Sequence, residues 1–230
     1  MNNNTKFFVI RGTKTYGLIT SNLEDVEAYD IVNVKTGNIV KKYVNPVHGT
    51  KSCGITLNGK FQKLSNLVWK NVPYFKALEK EIEAMSIAIP NFPNFRLLPE
   101  SKQVWNGNDH KFVKSWLNPN GTVYFDIWRR NKAHRFTFNQ IVWIANYKEQ
   151  LNKTDCVISS NFFKYGENTS EKPENLIKVS KLVFRQLVQY KKQFDHGKKD
   201  VEYFFDIIDT LDLPTWKKEK LQLGILDKYC

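Results

Sequence analysis

The side chains that could do acid–base or metal chemistry are few and scattered. Four histidines stand at positions 48, 110, 134 and 196. A histidine can accept a proton or ligate a metal. No two of these have the i, i+4 or short-loop spacing of a zinc or magnesium site. His48 sits beside Gly49 in a turn, and His196 follows Asp195 in a loop. "NGNDH", Asn106 to His110, holds oxygen and nitrogen ligands but reads as a solvated turn, and Glu167 and Glu171 read as acidic loop residues facing water. Cys53, Cys156 and Cys230 are odd in number and lack CxxC spacing. Neither a disulfide framework nor a cysteine-rich zinc site is expected, and a reducing cytoplasm is the natural compartment. No catalytic residue, metal ligand or cofactor is therefore assigned.

The basic side chains are a stronger signal. In "IWRRNKAHRF", Arg129, Arg130, Lys132, His134 and Arg135 surround a hairpin turn and alternate with Trp128 and Phe136. Such cations can neutralise phosphates, and a two-stranded ribbon fits the major groove of DNA. Lys51, Lys60 and Lys63 occupy matching places earlier in the chain, where phosphate contacts and an ordinary solvated tip are both open readings. The chain of 230 residues carries a net charge of +12, which favours a polyanionic partner, most simply double-stranded DNA. No apolar run approaches bilayer length, so a membrane partner is not expected. The opening "MNNNTKFFVIRG" lacks the build of a secretory signal. With 41% hydrophobic and 14% aromatic residues, a packed core is expected.

The elements that position these residues occur twice. "VKKYVNP", Val40 to Pro46, returns as "VKSWLNP", Val113 to Pro119. The likeness continues: Gly49 and Thr50 with Gly121 and Thr122, Ile55 with Ile127, Lys60 with Lys132, then Leu67, Val68 and Trp69 with Ile141, Val142 and Trp143. "PNFRLL" (Pro93 to Leu98) answers "PENLIKV" (Pro173 to Val179). Agreement in this order points to a degenerate internal duplication. Lys6–Gly12 reads as a strand, Tyr29–Val44 as a hairpin, and "SCGITL" with "KFQKL" as a hairpin about Asn58-Gly59, a turn pair that tolerates positive φ. A helix capped by Ser65 or Asn66 and a second over "VPYFKALEKEIEAMS" follow. In the second copy "TVYFDIWRR" and "HRFTF" are strands and "NQIVWIANYKEQ" is a helix, with Trp69 and Trp143 as core anchors. From Asn175 the spacing is helical, which predicts a tail of three helices that packs on the second repeat or meets a partner.

These segments carry a resemblance. "GITLNGK", then "LVW" opening a helix, then a loop ending in "PENL", resembles HNH-family homing endonucleases of phage type. "YDIVNVKTGNIVKKY" is similar to the small DNA-binding repeat that precedes such domains. The likeness spans roughly Tyr29 to Ser180 and is sharpest at "GENTSEKPENLIKVS". The resemblance implies a histidine that activates water and polar side chains that hold a divalent metal. Phe162 and Phe163 stand where the pattern places that histidine, Ser170 and Glu171 near its paired asparagines, and Ser65 and Asn139 where a histidine precedes "LVW". Gly166, Pro173, Asn175 and Leu176, which shape the turn, are kept.

The expectation is an α+β fold of two degenerate strand–hairpin–helix (HNH-like ββα) repeats and a C-terminal helical region, divided as 1–98, 99–180 and 181–230. The function expected is DNA binding without nuclease activity, as a phage transcription or host-takeover factor in the bacterial cytoplasm. The alternatives are an active endonuclease with a divergent metal site, and an adaptor or inhibitor that binds a host or phage protein through the C-terminal helices.

Overall fold

The computed structural model describes residues 5–44, 46, 51–118, 122–165, 172–197 and 200–226. The chain groups into two compact units, residues 1–85 with 106–111, and residues 86–105 with 112–230.

In the first unit, β1 (Lys6–Val9), β2 (Tyr16–Thr20) and β3 (Asp30–Asn33) form an antiparallel sheet in that order. Leu18 lies opposite Phe8 on one side and Ile31 on the other, and Leu18 and Ile31 are fully buried. The hairpin expected over Tyr29–Val44 forms only in part. β3 pairs with β2, and the returning chain adds a single bridge, Val32 to Ile39. Around that bridge the Asn33 amide donates to the Asn38 carbonyl and the Val40 amide to the Ile31 carbonyl, both at 2.8 Å, along the edge of β3 that β2 leaves free.

Short strands β4 (Tyr43–Val44) and β5 (Lys51–Ser52) pair as a ribbon. Next, β6 (Gly54–Leu57) and β7 (Lys60–Lys63) form the expected hairpin, with Asn58 at φ 50° and Gly59 at φ 74°. Two successive positive φ values define the turn whose twist matches that of the flanking strands.

Helix α1 (Leu64–Asn71) begins directly at the end of β7. Lys63 is its N-cap, with no side-chain hydrogen bond, so neither Ser65 nor Asn66 caps it. The amide of Leu64 donates to the Cys53 carbonyl at 2.6 Å, so the strand entering the helix satisfies one of the first-turn amides that no intrahelical carbonyl reaches. Pro73 then opens α2 (Pro73–Met85), since proline is tolerated at a helix start and unsuited to continue α1. Trp69, Phe75 and Tyr29 pack ring to ring at 5.0 and 6.1 Å.

The second unit opens with strands that periodicity does not announce: β8 (Ile87–Ala88), β9 (Phe95–Leu98), β10 (Gln103–Asn106) and β11 (Lys111–Phe112), ordered β11-β10-β9-β8. A second sheet follows from β12 (Ser115–Leu117), β13 (Val123–Arg129) and β14 (Lys132–Thr137), and then α3 (Phe138–Tyr147). Thr137 caps α3 in a reciprocal box with Gln140. Phe125, Ile127, Ile141 and Leu97 share one core.

Beyond it, β15 (Asp155–Ser159) leads to the short α4 (Phe162–Tyr165), and β16 (Leu176–Ser180) pairs antiparallel with β15. The helical reading from Asn175 is corrected here. Leu176, Ile177 and Val179 are buried on the strand, and Ser180 caps α5 (Lys181–Asp195) by accepting from the Val183 amide. β-branched residues with a strand partner prefer the ladder. Helices α6 (Val201–Thr210) and α7 (Thr215–Leu226) complete a second core, in which Phe163, Leu187, Phe204, Ile208, Leu221 and Ile225 are fully buried. Gly224 of α7 lies against the Ser160 backbone, where a Cβ would stand 2.2 Å from the carbonyl oxygen. The fold is therefore mixed α+β, with small antiparallel sheets. No described helix is long and apolar enough to cross a membrane.

Candidate nucleic-acid interface

The β13–β14 hairpin sorts its residues by pleat. Phe125 and Ile127 face the core, whereas Tyr124, Asp126 and Trp128 point the other way. Its turn is Arg130-Asn131, with φ values of 48° and 60°. A non-glycine residue in the left-handed region costs about 1 kcal/mol, least for asparagine, so Arg130 is strained where Asn58 of the first hairpin is at ease.

Arg129 lies directly across from Lys132, placing like charges in register. Like charges directly opposite are destabilising. Among the described residues, Arg129, Arg130 and Lys132 have no ion-pair or side-chain hydrogen-bond partner. The tip thus presents three cations on a strained turn with no internal compensation.

The other two residues expected in this cluster are placed differently. Arg135 lies opposite Asp126, and its Nε and Nη2 donate to the two carboxylate oxygens at 2.9 and 3.0 Å. The hydrogen bond from Arg135 holds the Asp126 carboxyl below the usual carboxylate range, the Arg135 charge and a hydrogen bond from Trp116 adding to it. His134 pairs with Ile127 and so lies on the core face, half-buried. Its ring meets Phe92 edge-on at 5.5 Å and runs parallel to Phe136 at 6.3 Å.

In the first hairpin Lys60 faces Leu57 at the tip and Lys63 faces Gly54 at the base, both exposed. Lys51 lies in β5 opposite Val44, and its side chain is outside the described residues. The structure thus brings Arg129, Arg130 and Lys132 together, and places Lys60 and Lys63 on a separate hairpin.

Sequence reasoning left out the aromatic side of this sheet. Trp116 of β12 pairs across from Tyr124, and Trp128, whose facing was open in the sequence, is 59% exposed. Alternation along "VYFDIWR" held the signal, since Tyr124, Asp126 and Trp128 share a parity opposite to that of Phe125 and Ile127.

The described residues among those considered for metal chemistry sit in other settings. Phe163 is fully buried among Phe162, Phe194 and Phe204, with ring separations of 5.6 to 6.1 Å. His110 is no solvated turn residue. It stacks on Trp69 at 4.6 Å and 7°, and burial lowers its pKa, the Lys70 charge acting with burial and Asp109 against it. Asn106 and Asp109 bond to each other at 2.9 Å within the turn. His196 ends α5 as its C-cap. His48, Gly166, Glu167, Ser170 and Glu171 lie outside the described residues. Among the described residues no group of three or more His, Cys, Asp or Glu side chains could hold a metal ion. Pro173–Asn175 forms a single helical turn, and the Asn175 carbonyl accepts from the Ser160 amide at 2.7 Å, which closes the strand pair.

No protein-family model matches this chain, and no curated protein matches it. Among solved structures it matches the HNH homing endonuclease I-HmuI, described for DNA binding and cleavage, with 15% identity and a TM-score of 0.34. The match covers 54% of this chain and 66% of that one, just under two thirds of its length. A likeness of that degree fixes no residue correspondence.

Proposed function

We propose that this chain binds duplex DNA through its hairpin tips, that it derives from an HNH homing endonuclease, and that it acts without nuclease chemistry as a phage transcription or host-takeover factor. The observation that carries DNA binding is the tip of β13–β14, where Arg129, Arg130 and Lys132 stand uncompensated on a turn strained at Arg130. Strain and like-charge repulsion persist where a function holds them, and a phosphate backbone relieves both the repulsion and the lack of partners. The net charge of +12 supports the same partner.

Descent from the endonuclease family is supported by the order of the motifs ending in "PENL", a stretch that here closes a strand pair leading into α5. Lack of cleavage is supported by Phe163, whose position in an apolar core offers neither a proton acceptor nor a metal ligand.

Gel shifts on short duplexes and cleavage assays on plasmid with magnesium or manganese test the reading. Salt-sensitive binding without nicking is expected. Absence of duplex binding at low salt contradicts the DNA reading, and robust metal-dependent nicking by the wild-type protein contradicts the loss of nuclease chemistry.

A further inference from the structure

The outer face of the β12–β13–β14 sheet has a composition that duplex binding at the tip does not use. Trp116, 50% exposed, lies directly across from Tyr124, and Trp128 is exposed further along the same face. Trp128 lies four residues beyond Tyr124, about 13 Å along the strand. Trp116, Leu117, Asn118, Tyr124 and Arg135 line a concave pocket of about 480 Å³. Lys114 reaches over the Trp116 ring, its Nζ 5.0 Å from the centre. The carboxylate on this face, Asp126, is already matched by the Arg135 fork. It leaves no net negative charge to repel a polyanion.

We infer that this face is a stacking platform for unpaired nucleobases, with one subsite at Trp116–Tyr124 and another at Trp128. Resting on the nucleic-acid reading above, it adds a second substrate class, single-stranded nucleic acid. In a duplex the base faces are already stacked on one another, so flat exposed rings find no surface there. Unpaired bases offer their π-faces, and aromatic side chains beside a cationic track bind them with little sequence preference. Lys114, level with Asp126 and so between the two subsites, and the cationic tip beyond Trp128 supply that track for the phosphates.

The test uses the full chain with fluorescently labelled oligo(dT) and oligo(U) of about 12 nucleotides, and a duplex of the same length. Oligo(dT) is expected to bind and to quench tryptophan fluorescence. Trp116→Ala and Trp128→Ala should each weaken that binding by about tenfold. Trp116→Phe should restore most of it, and Trp216→Ala on α7 should change nothing. Both tryptophans are exposed, so circular dichroism should match wild type, and duplex affinity should be retained. Tighter oligo(U) than oligo(dT) would assign the platform to RNA, and the reverse to DNA. Single-strand affinity that is absent, or indifferent to both tryptophans, overturns the inference while duplex binding still upholds the tip. Conversion of a dimer to a monomer by the same substitutions, seen by sedimentation, overturns it in favour of a contact between copies. Failure of both nucleic acids removes this inference together with the reading on which it rests.

Discussion

The two hairpins, Gly54–Lys63 and Asp126–Arg135, share a frame and differ in what they carry. Leu57 faces Lys60 in one as Arg129 faces Lys132 in the other, and each closes with two residues at positive φ. Ile55 and Ile127 face inward at the same register. Each hairpin leads into a helix whose sixth residue is a buried tryptophan, Trp69 or Trp143. The two hairpins thus share one local geometry.

The contents have separated. The first tip is Asn58-Gly59, suited to its backbone, and the second is Arg130-Asn131, which is not. The first base is Gly54 opposite Lys63, and the second is Asp126 clamped to Arg135. Even the tryptophans have different partners: Trp69 stacks on His110, whereas the Trp143 indole donates to Glu149 at 3.0 Å. Shared geometry with unshared charge teaches that a common backbone frame can carry two different tips, and only the second gathers three unmatched cations.

If the frame is common, the largest effects should be equal in the two copies. Ile55→Ala and Ile127→Ala should each lower stability by about 3 kcal/mol, read by urea unfolding. A loss confined to Ile127→Ala would break the equivalence.

Charge should then separate the copies. Replacing Arg129, Arg130 and Lys132 together by alanine should weaken duplex binding by about 100-fold, at about 1 kcal/mol for each contact, with the unfolding midpoint retained. Lys60→Ala with Lys63→Ala should weaken it less, because lysine lacks the bidentate fork of arginine. Equal losses from the two hairpins, read by gel shift, would assign binding to both.

A smaller effect isolates the strained turn. Arg130→Asn should raise stability by about 0.5 kcal/mol, since asparagine accepts the left-handed conformation more readily, while duplex affinity falls. Stability and binding moving in opposite directions is the signature of a position held for function.

The smallest effect concerns the clamp. Asp126 titrates below its ordinary range because Arg135 bonds to it. The pair therefore stabilises the hairpin fully above about pH 4, where an unfolded carboxylate ionises. That contribution is lost as pH falls through the depressed folded value. Asp126→Asn should flatten the acid limb of the thermal-unfolding profile slightly, because the pair is exposed and screened. The Gly54–Lys63 hairpin lacks this partner, so Lys63→Gln, at an exposed position, should leave the limb unchanged.

What the sequence disclosed followed local periodicity. Alternation in "TVYFDIWRR" and the Asn58-Gly59 turn placed both hairpins, and helical spacing placed α2, α3, α6 and α7. Contacts between distant residues stayed hidden. Short strands such as Ile87–Ala88 have too few residues to show a period, and their partners lie elsewhere in the chain. Leu176–Ser180 joined a helical pattern because its ladder partner, Asp155–Ser159, lies across a long loop. Stacking of His110 on Trp69 depends on the fold bringing distant positions together. The Asp126–Arg135 clamp was within reach, since a two-residue turn at 130–131 dictates that register. Its consequence, that Arg135 is matched while Arg129, Arg130 and Lys132 are not, emerged only with side chains in place.

The central claim is that three cations at the second tip neutralise phosphates, and salt tests it most directly. Duplex affinity should be measured from low to moderate salt for wild type and for the variant with Arg129, Arg130 and Lys132 all replaced by alanine. Each phosphate contact contributes about 0.9 to the log–log slope, so the variant should be shallower by about 2.7. Parallel lines for the two proteins, whatever their absolute affinities, would contradict the account.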